Sequence, residues 1–395
     1  MVKVASIFSQ ILGQVPRTEF AALVAKHQGE RHARGFTCWD QFVAMVFCQL
    51  GEAQSLREIS IGLGTVLGRL VHIGLRKAPK PSTLSYANMH RPAALYEDLF
   101  WCLLDRFRSQ GQLGTRLHRF RFKNKLLSLD STTISLCLTV FPWAKFRRVK
   151  GGIKTHVLLD HDDGMPSFVL ISQAKMGDAK VLPQLRLKAG SIVAMDRAYN
   201  SYRIFGQWTE QGIFFVTRLK SDAKYEVVEQ RPVPKGRNIL SDEVIRLTGV
   251  HAKVDSAKKC PHPLRRVVVW DATNKRELVL LTNLLEFGAT TISEIYRQRW
   301  QIELFFKALK QNLKIKTFVG VTENALRIQI WTALIAMLIV KWLQHVSTAK
   351  WSLSILVKSL QWNLFSYRNL LAWLNDPIGT PPLSPPPEQM QLQWT

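Results

Sequence analysis

Sixteen residues, Tyr296 to Gln311 (YRQRWQIELFFKALKQ), constrain the chain more than any other stretch. Tyr296, Arg299, Glu303 and Lys310 stand at offsets of 0, 3, 7 and 14. At about 100° per helical residue these fall within one arc of about 60°. Ile295, Ile302, Phe305, Phe306, Leu309 and Leu313 gather on the adjoining arc, which can face a core. No Pro or Gly interrupts the segment before Gly320, and Thr291 followed by Glu294 fits a capping box. The spacing predicts one unbroken helix with an acid, two cations and a tyrosine along one edge. Such an edge suits a metal-assisted reaction at a phosphate backbone. It equally suits a solvated face, because Arg299 and Glu303 are spaced for an ordinary surface ion pair.

Charge tilts this choice. The 395 residues carry 54 Lys and Arg against 29 Asp and Glu, a net charge of +25. With 47% hydrophobic residues the chain is folded, long enough for two or three domains, and basic throughout rather than in a tail. A polyanion, nucleic acid above all, is the natural partner. A neutral sugar would gain nothing from such a field, which argues against a carboxylate-pair glycosidase. The five cysteines (Cys38, Cys48, Cys102, Cys137 and Cys260) are odd in number and lack CxxC spacing. They read as thiols in a reducing compartment, not as disulfides or a zinc site. No signal-peptide pattern opens the chain. The longest apolar run, Ile330 to Val340, is shorter than a bilayer requires and reads as a buried helix. A cytoplasmic, nucleoid-associated protein without a membrane partner is expected.

Residues 1–115 show helical apolar spacing, as in Phe20–Ala25, Phe42–Leu50 and Leu95–Leu104. Ser55–Leu63 and Ser82–Arg91 could form a helix-turn-helix whose second helix enters a major groove, or two ordinary helices of a helical domain. Arg31–Trp39 could touch DNA or cap a helix. Arg116–Lys125 (RLHRFRFKNK) is either a solvated linker or a phosphate-contacting one. From Leu126 the period shortens. LLSLD ends a buried strand on Asp130, and SIVAMD ends another on Asp196. Between them IKTHVLLDH, the turn DDGM and SFVLIS read as a hairpin, with Asp178 able to cap a helix through Ala179–Leu187. Residues of about 220–287 suggest a β-rich insertion. C-terminal helices over 326–376 follow, then a Pro-rich tail, 377–395, expected to be disordered.

An apolar strand has no packing reason to end in Asp, although a lone one often caps a turn. Two such acids, Asp130 and Asp196, together with Glu303 on the polar edge of a helix, can hold two hard divalent cations through oxygen ligands. Paired cations can activate water and stabilise the leaving oxygen in phosphodiester cleavage. Arg299 and Lys310 would then hold the DNA backbone, and Tyr296 would hydrogen-bond a phosphate or stack. Asp160, Asp162 and Asp163 form a competing cluster that reads better as a hairpin turn. His156 reads as a core residue or one behind the ligands, not as a ligand.

These residues carry a family resemblance. The chain resembles the DDE transposases of the IS-four group of bacterial insertion sequences, marked by a Y-(2)-R-(3)-E-(6)-K signature that Tyr296, Arg299, Glu303 and Lys310 match without a gap. LDST at Leu129–Thr132 resembles the group's first acidic motif, and MDRAYNSY at Met195–Tyr202 its second. The N-terminal stretch from QILGQVPRTEF to RGFTCWDQFVAMVFCQL resembles a small domain common in the group. The resemblance implies a ribonuclease H-like catalytic core over 116–325, with its β-rich insertion before the glutamate helix. It implies Asp130, Asp196 and Glu303 as catalytic metal ligands for two Mg²⁺ or Mn²⁺ ions. It also implies action on the element's own terminal inverted repeats, with the freed 3′-OH joined to target DNA, and a homodimer that synapses two ends. Some members pass through hairpinned ends and flip a base. Trp300, and more weakly Trp270, would receive it unless both are core aromatics. A DNA-binding derivative without catalysis is the alternative, and would need a damaged acid or a truncated motif.

Overall fold

The computed structural model describes residues 5–31, 33–66, 69–113, 120–136, 141–147, 150–251, 254–255, 259–313 and 318–383. Cys137, the first part of the basic run Arg116–Lys125, and the Pro-rich tail from 384 lie outside them. The chain divides into two compact units. One comprises Met1–Gly114 with Lys307–Thr395, the other Thr115–Phe306.

The first unit is helical. Its N-terminal part holds α1 (Ile7–Leu12), α2 (Arg17–Lys26), α3 (Cys38–Leu50), α4 (Leu56–Gly64), α5 (Pro81–His90) and α6 (Ala94–Ser109). Thr37 and Asp40 close a capping box that starts α3. Every residue of α3 except Asp40 is buried, so this helix is the unit's axis rather than a surface helix. α4 and α5 pack together, and Ser82, Tyr86, Met89 and His90 of α5 are exposed.

The second unit is built on a ten-stranded sheet. Its strands include β1 (Leu126–Leu136), β2 (Lys145–Arg147), β3 (Lys150–Asp160), β4 (Pro166–Gln173), β5 (Ile192–Met195) and β6 (Phe214–Arg218). β1 pairs antiparallel with β3, and β3 with β4. β5 lies parallel to β1 and to β6. The expected insertion is continuous with this sheet. β7 (Tyr225–Gln230), β8 (Ile239–Leu247), β11 (Leu264–Asp271) and β12 (Arg276–Thr282) extend it antiparallel through the β12–β6 pair. The two-residue strands β9 (Val250–His251) and β10 (Val254–Asp255) form a separate ribbon.

Helices cover both faces of the central strands, which is why Leu126–Leu129 and the whole of β5 are buried without alternation. α7 (Tyr202–Glu210) packs on one face through Phe205 and Trp208, with Leu127, Leu129, Val193 and Met195 beneath. α8 (Ala289–Gln298) covers the other through Ile292, Ile295 and Tyr296, against Leu126, Ile192 and Ala194.

Three local expectations are corrected. Tyr296–Gln311 is two helices, α8 and α9 (Trp300–Asn312), with Arg299 at the joint in α-helical conformation. The joint tightens to one-turn bonds, from Arg299 N–H to the Tyr296 carbonyl and from Ile302 N–H to the Arg299 carbonyl, each 3.1 Å. Thr291 and Glu294 do not form a capping box: Gly288 is the N-cap, and Glu294 accepts from Gln298 and pairs with Arg297 in its own helix. Asp178 starts a 3₁₀ turn, Asp178–Gln184, but does not cap it, because its carboxylate is taken by Ser131 and Lys154.

The chain ends in helices of the first unit, α10 (Glu323–Val346), α11 (Leu353–Asn363) and α12 (Leu370–Asn375). They were expected as a block of their own, yet α10 packs against α3, α5 and α6. Gln49 of α3 donates to the Gln329 carbonyl of α10 at 3.4 Å. α10 is the one helix among the described residues long and apolar enough to cross a membrane, and 89% of its apolar window is buried inside the fold.

Candidate active site

Two neighbouring parallel strands aim acids at one place. Leu129 of β1 is level with Met195 of β5, so Asp130 and Asp196 follow on adjacent strands about 4.8 Å apart. This is the carboxyl end of the parallel pair, where open α/β sheets bind their ligands. Glu303 arrives on the first turn of α9.

Two arginines tie the acids together. Arg299 donates from Nη1 to Asp130 at 3.1 Å and from Nη2 to Glu303 at 2.6 Å. Arg218, the last residue of β6, donates from Nη2 to Asp196 at 2.6 Å. Asp130 also accepts from Ser131 N–H, and Asp196 from Ala198 N–H. Asp196 is therefore both a turn cap and a member of the site; the two readings of a strand-ending acid coexist. Three carboxylates facing two guanidiniums leave about one negative charge uncompensated.

Asp130 and Asp196 are shifted in opposite directions. Burial pushes the Asp130 carboxyl up to about 6, helped by Glu303 and Asp196 and opposed by Ser131 N–H and Arg299. Asp196 is also partly buried, but the Ala198 N–H and the Arg218 guanidinium outweigh this and hold its carboxyl below the usual range. Burial would weaken the Arg299 cation, yet Tyr296, Asp130 and Glu303 together hold it more firmly protonated than usual.

The other expected residues take distinct places. Tyr296 is buried at the face of the sheet, with the Arg299 guanidinium 5.7 Å from its ring centre. It is a support for Arg299 rather than part of an exposed edge. Lys310 lies in the last turn of α9, two turns beyond Glu303. Trp300 is 54% exposed and Trp270 39%, so neither is a core aromatic. Asp160 is buried against Lys125, and Asp162 N–H and Met165 N–H close the hairpin on the Asp160 and Asp163 carboxylates. The turn reading of DHDDG holds.

Sequence reasoning missed Arg218 and a polar group on the other face of β1. Ser131 Oγ donates to Asp178 at 2.9 Å, and Lys154 Nζ to the same carboxylate at 3.2 Å. His156 lies 3.2 Å from the Tyr199 hydroxyl and is fully buried. Burial pushes the His156 imidazole down to about 4, so it is neutral. Arg218 carried a usable signal: a charged residue next to last in the apolar stretch Gly212–Leu219 (GIFFVTRL) needs a partner, as Asp130 and Asp196 do.

By donor type the trio suits a hard divalent cation, being carboxylate oxygen throughout, and a cation would favour the ionised form of Asp130 that burial opposes. Among the described residues no three His, Cys, Asp or Glu side chains are drawn close enough to hold an ion. Arg299 joins Asp130 to Glu303 instead, so ligation requires the fork to release at least one acid.

Comparison with known proteins decides the family. Residues 121–339, more than half of the chain, match the model of the transposase DDE domain. The chain belongs to the DDE transposases. A Sinorhizobium fredii protein named as a transposase is 36% identical over 266 residues, 66% of this chain and 70% of its own length. A Geobacillus stearothermophilus protein named as the transposase of the insertion sequence element IS5377 is 31% identical, over 64% and 66%. A Synechocystis protein named for the element IS4SA is 28% identical over 272 residues. Residues 3–76 of the transposase match a domain family of unknown function. The DDE family fits the acids and the charge: this is a metal-dependent, DNA-cleaving enzyme of the insertion-sequence type.

Proposed function

We propose that this transposase binds the terminal inverted repeats of its own element, cuts at their ends and joins the freed 3′-OH to target DNA. The observation that carries the reading is the joining of Asp130 to Glu303 through one arginine, with Asp196 beside them on the adjacent parallel strand. The strand order β4-β3-β1-β5-β6, antiparallel then parallel, supports a ribonuclease H-like core.

Asp130, Asp196 and Glu303 would hold two Mg²⁺ or Mn²⁺ ions. Bound there, the ions would supply activation of the attacking oxygen and charge stabilisation at the leaving oxygen. In the first step water attacks the scissile phosphorus, the bond to O3′ breaks, and O3′ takes a proton. In the second the 3′-OH attacks a target phosphodiester and displaces the neighbouring 3′ oxygen. Released from Glu303 or Asp130, Arg299 can turn its planar fork to a phosphate. Lys310 is a point charge on the same helix, and Trp300 offers an exposed ring to an unstacked base next to that arginine. Tyr296 acts by holding Arg299. The exposed face of α5 reads the terminal repeat, and two copies synapse two ends, through hairpinned ends if Trp300 receives a flipped base.

The test is cleavage of DNA bearing the element's own ends, with and without Mg²⁺, by wild type and Asp196→Asn. Metal-dependent nicking lost in the variant is expected. Nicking that survives Asp196→Asn, or proceeds unchanged in EDTA, overturns the assignment.

A further inference from the structure

A basic cavity opens at the opposite end of the same two strands. It has a volume of about 750 Å³ and takes in Lys123 and Lys125 ahead of β1, and Arg186 and Lys188 in the loop before β5. Leu127, Leu158 and Phe168 form its apolar floor. Strand geometry puts it roughly 17 Å from Asp130, since five residues separate Lys125 from that acid at about 3.3 Å each. The trio sits where the parallel pairing of β1 with β5 ends, and this cavity at the strands' amino ends.

The cavity is built and held. Asn124 donates its side-chain amide to the Gly190 carbonyl at 2.7 Å. Gly190 N–H bonds the Gly212 carbonyl, and Ile192 N–H the Lys125 carbonyl, each at 2.8 Å. Gly190 has φ +83°, a conformation that a side chain would strain. The loop that carries Arg186 and Lys188 is thus tied at its end to β1 and to the start of β6. Lys125 is committed to the buried Asp160 at 2.6 Å. Lys123, Arg186 and Lys188 are exposed and form no ion pair with any described residue. Three cations held round one concavity, with no ion-pair partner among the described residues, favour an anion there over a solvated face, where opposite charges intersperse.

We propose that this cavity holds the phosphate backbone of a DNA duplex segment other than the one being cut. The inference rests on the DNA-acting reading above. The occupant is duplex because the space exceeds a single phosphate and the cations come from two chain segments, as successive phosphates require. It is a different segment because the cavity opens at the amino ends of β1 and β5, roughly 17 Å from Asp130 and at the other end of the strands from the trio. The basic residues ahead of β1, either solvated or phosphate-contacting on sequence grounds, take the second role.

The test compares wild type with Lys123→Ala/Arg186→Ala/Lys188→Ala. Binding of a 40-base-pair duplex is titrated against salt by fluorescence anisotropy, and nicking of a short terminal-repeat oligonucleotide is measured alongside. Each lost phosphate contact lowers the slope of log K against log salt by about 0.9, so a drop of about 2–3 is expected, with short-end nicking within twofold of wild type. An unchanged slope overturns the proposal. So does a parallel loss of short-end nicking in a folded variant, which would put the cavity on the path of the cut DNA. An unchanged slope with pyrophosphate stabilising wild type alone would assign a small-anion site instead. Wild type that binds no duplex at all would count against the DNA-acting reading, separately from the cavity.

Discussion

Two arginine–carboxylate groups in the sheet-containing unit look alike on paper and differ in their balance. In the antiparallel extension, Arg265 of β11 grips Asp242 of β8 with two bonds of 2.7 and 2.6 Å. Its remaining nitrogen donates to the carbonyls of Leu285 and Phe287. Both side chains are almost fully buried, at 4% and 3% exposure, and one charge answers one charge. At the active site Arg299 gives one nitrogen to each of two acids, and its buried Nε has no hydrogen bond. Three acids there share two arginines, and burial, with Glu303 and Asp196 adding to it, raises the Asp130 carboxyl. A pair that only holds strands together is closed and neutral. A group that must exchange partners is open, shared and short of positive charge.

Removing an arginine from each group is the sharpest way to break this comparison. Arg265→Ala leaves Asp242 alone in the interior and should cost about 3–5 kcal/mol in urea unfolding. Arg299→Ala should cost less than half as much, because Asp130 can take up a proton. Equal losses would mean that the active-site pairing is as structural as the other.

The acids should show the reverse pattern. Glu303→Gln should lower end cleavage by about a thousandfold or more, equivalent to about 4 kcal/mol of barrier. Its unfolding midpoint should stay close to that of wild type. A variant that still cleaves would remove Glu303 from the chemistry.

Two buried titrating groups set opposing pH dependences, best read in EDTA. The folded Asp130 carboxyl keeps its proton up to about 6, while the unfolded one loses it near 3.8. The folded chain therefore binds more protons in that window, and stability falls as pH rises through it, by roughly 3 kcal/mol ((6 − 3.8) × 1.36). The folded His156 gains a proton only near 4, against 6.5 unfolded. Here the unfolded chain binds more, and stability rises with pH from 4 to 6.5 by a similar roughly 3 kcal/mol ((6.5 − 4) × 1.36). Wild type should be nearly flat, Asp130→Asn should gain stability with pH, and His156→Asn should lose it. Parallel curves for all three would refute the imbalance.

The smallest effect expected is metal stabilisation of the folded protein without DNA. At ten times its dissociation constant, Mg²⁺ should add about 1.4 kcal/mol to wild type and nothing to Asp196→Asn. A shift of the same size in both would place the ion elsewhere.

The site was legible because its acids violate local rules. Asp130 and Asp196 each follow an apolar run, although β1 continues past Asp130 to Leu136 in its pairing with β3, and the Tyr296–Lys310 spacing joins a polar edge to an apolar one. Arg218 breaks the same rule at the end of β6 and could have been found by it. Ser131, Asp178 and Lys154 could not, because nothing local marks polar residues that meet only when β1, β3 and the 178–184 turn pack. The joint at Arg299 was hidden for a related reason: no Pro or Gly stands there. The helix ends where Arg299 is pulled to Asp130 on a strand 169 residues earlier.

Most elements and the kind of chemistry follow from local pattern. Apolar periods built the strands and helices, charges set against apolar runs marked the candidate site, and net charge named the kind of partner. These depend on neighbours within a few residues or on sums over the chain. Packing fixes the rest: β5 lies parallel beside β1, one guanidinium serves two acids, and α10 shares a core with α3. Such choices depend on which buried surfaces and charges fit each other across hundreds of residues, and no local pattern records that fit.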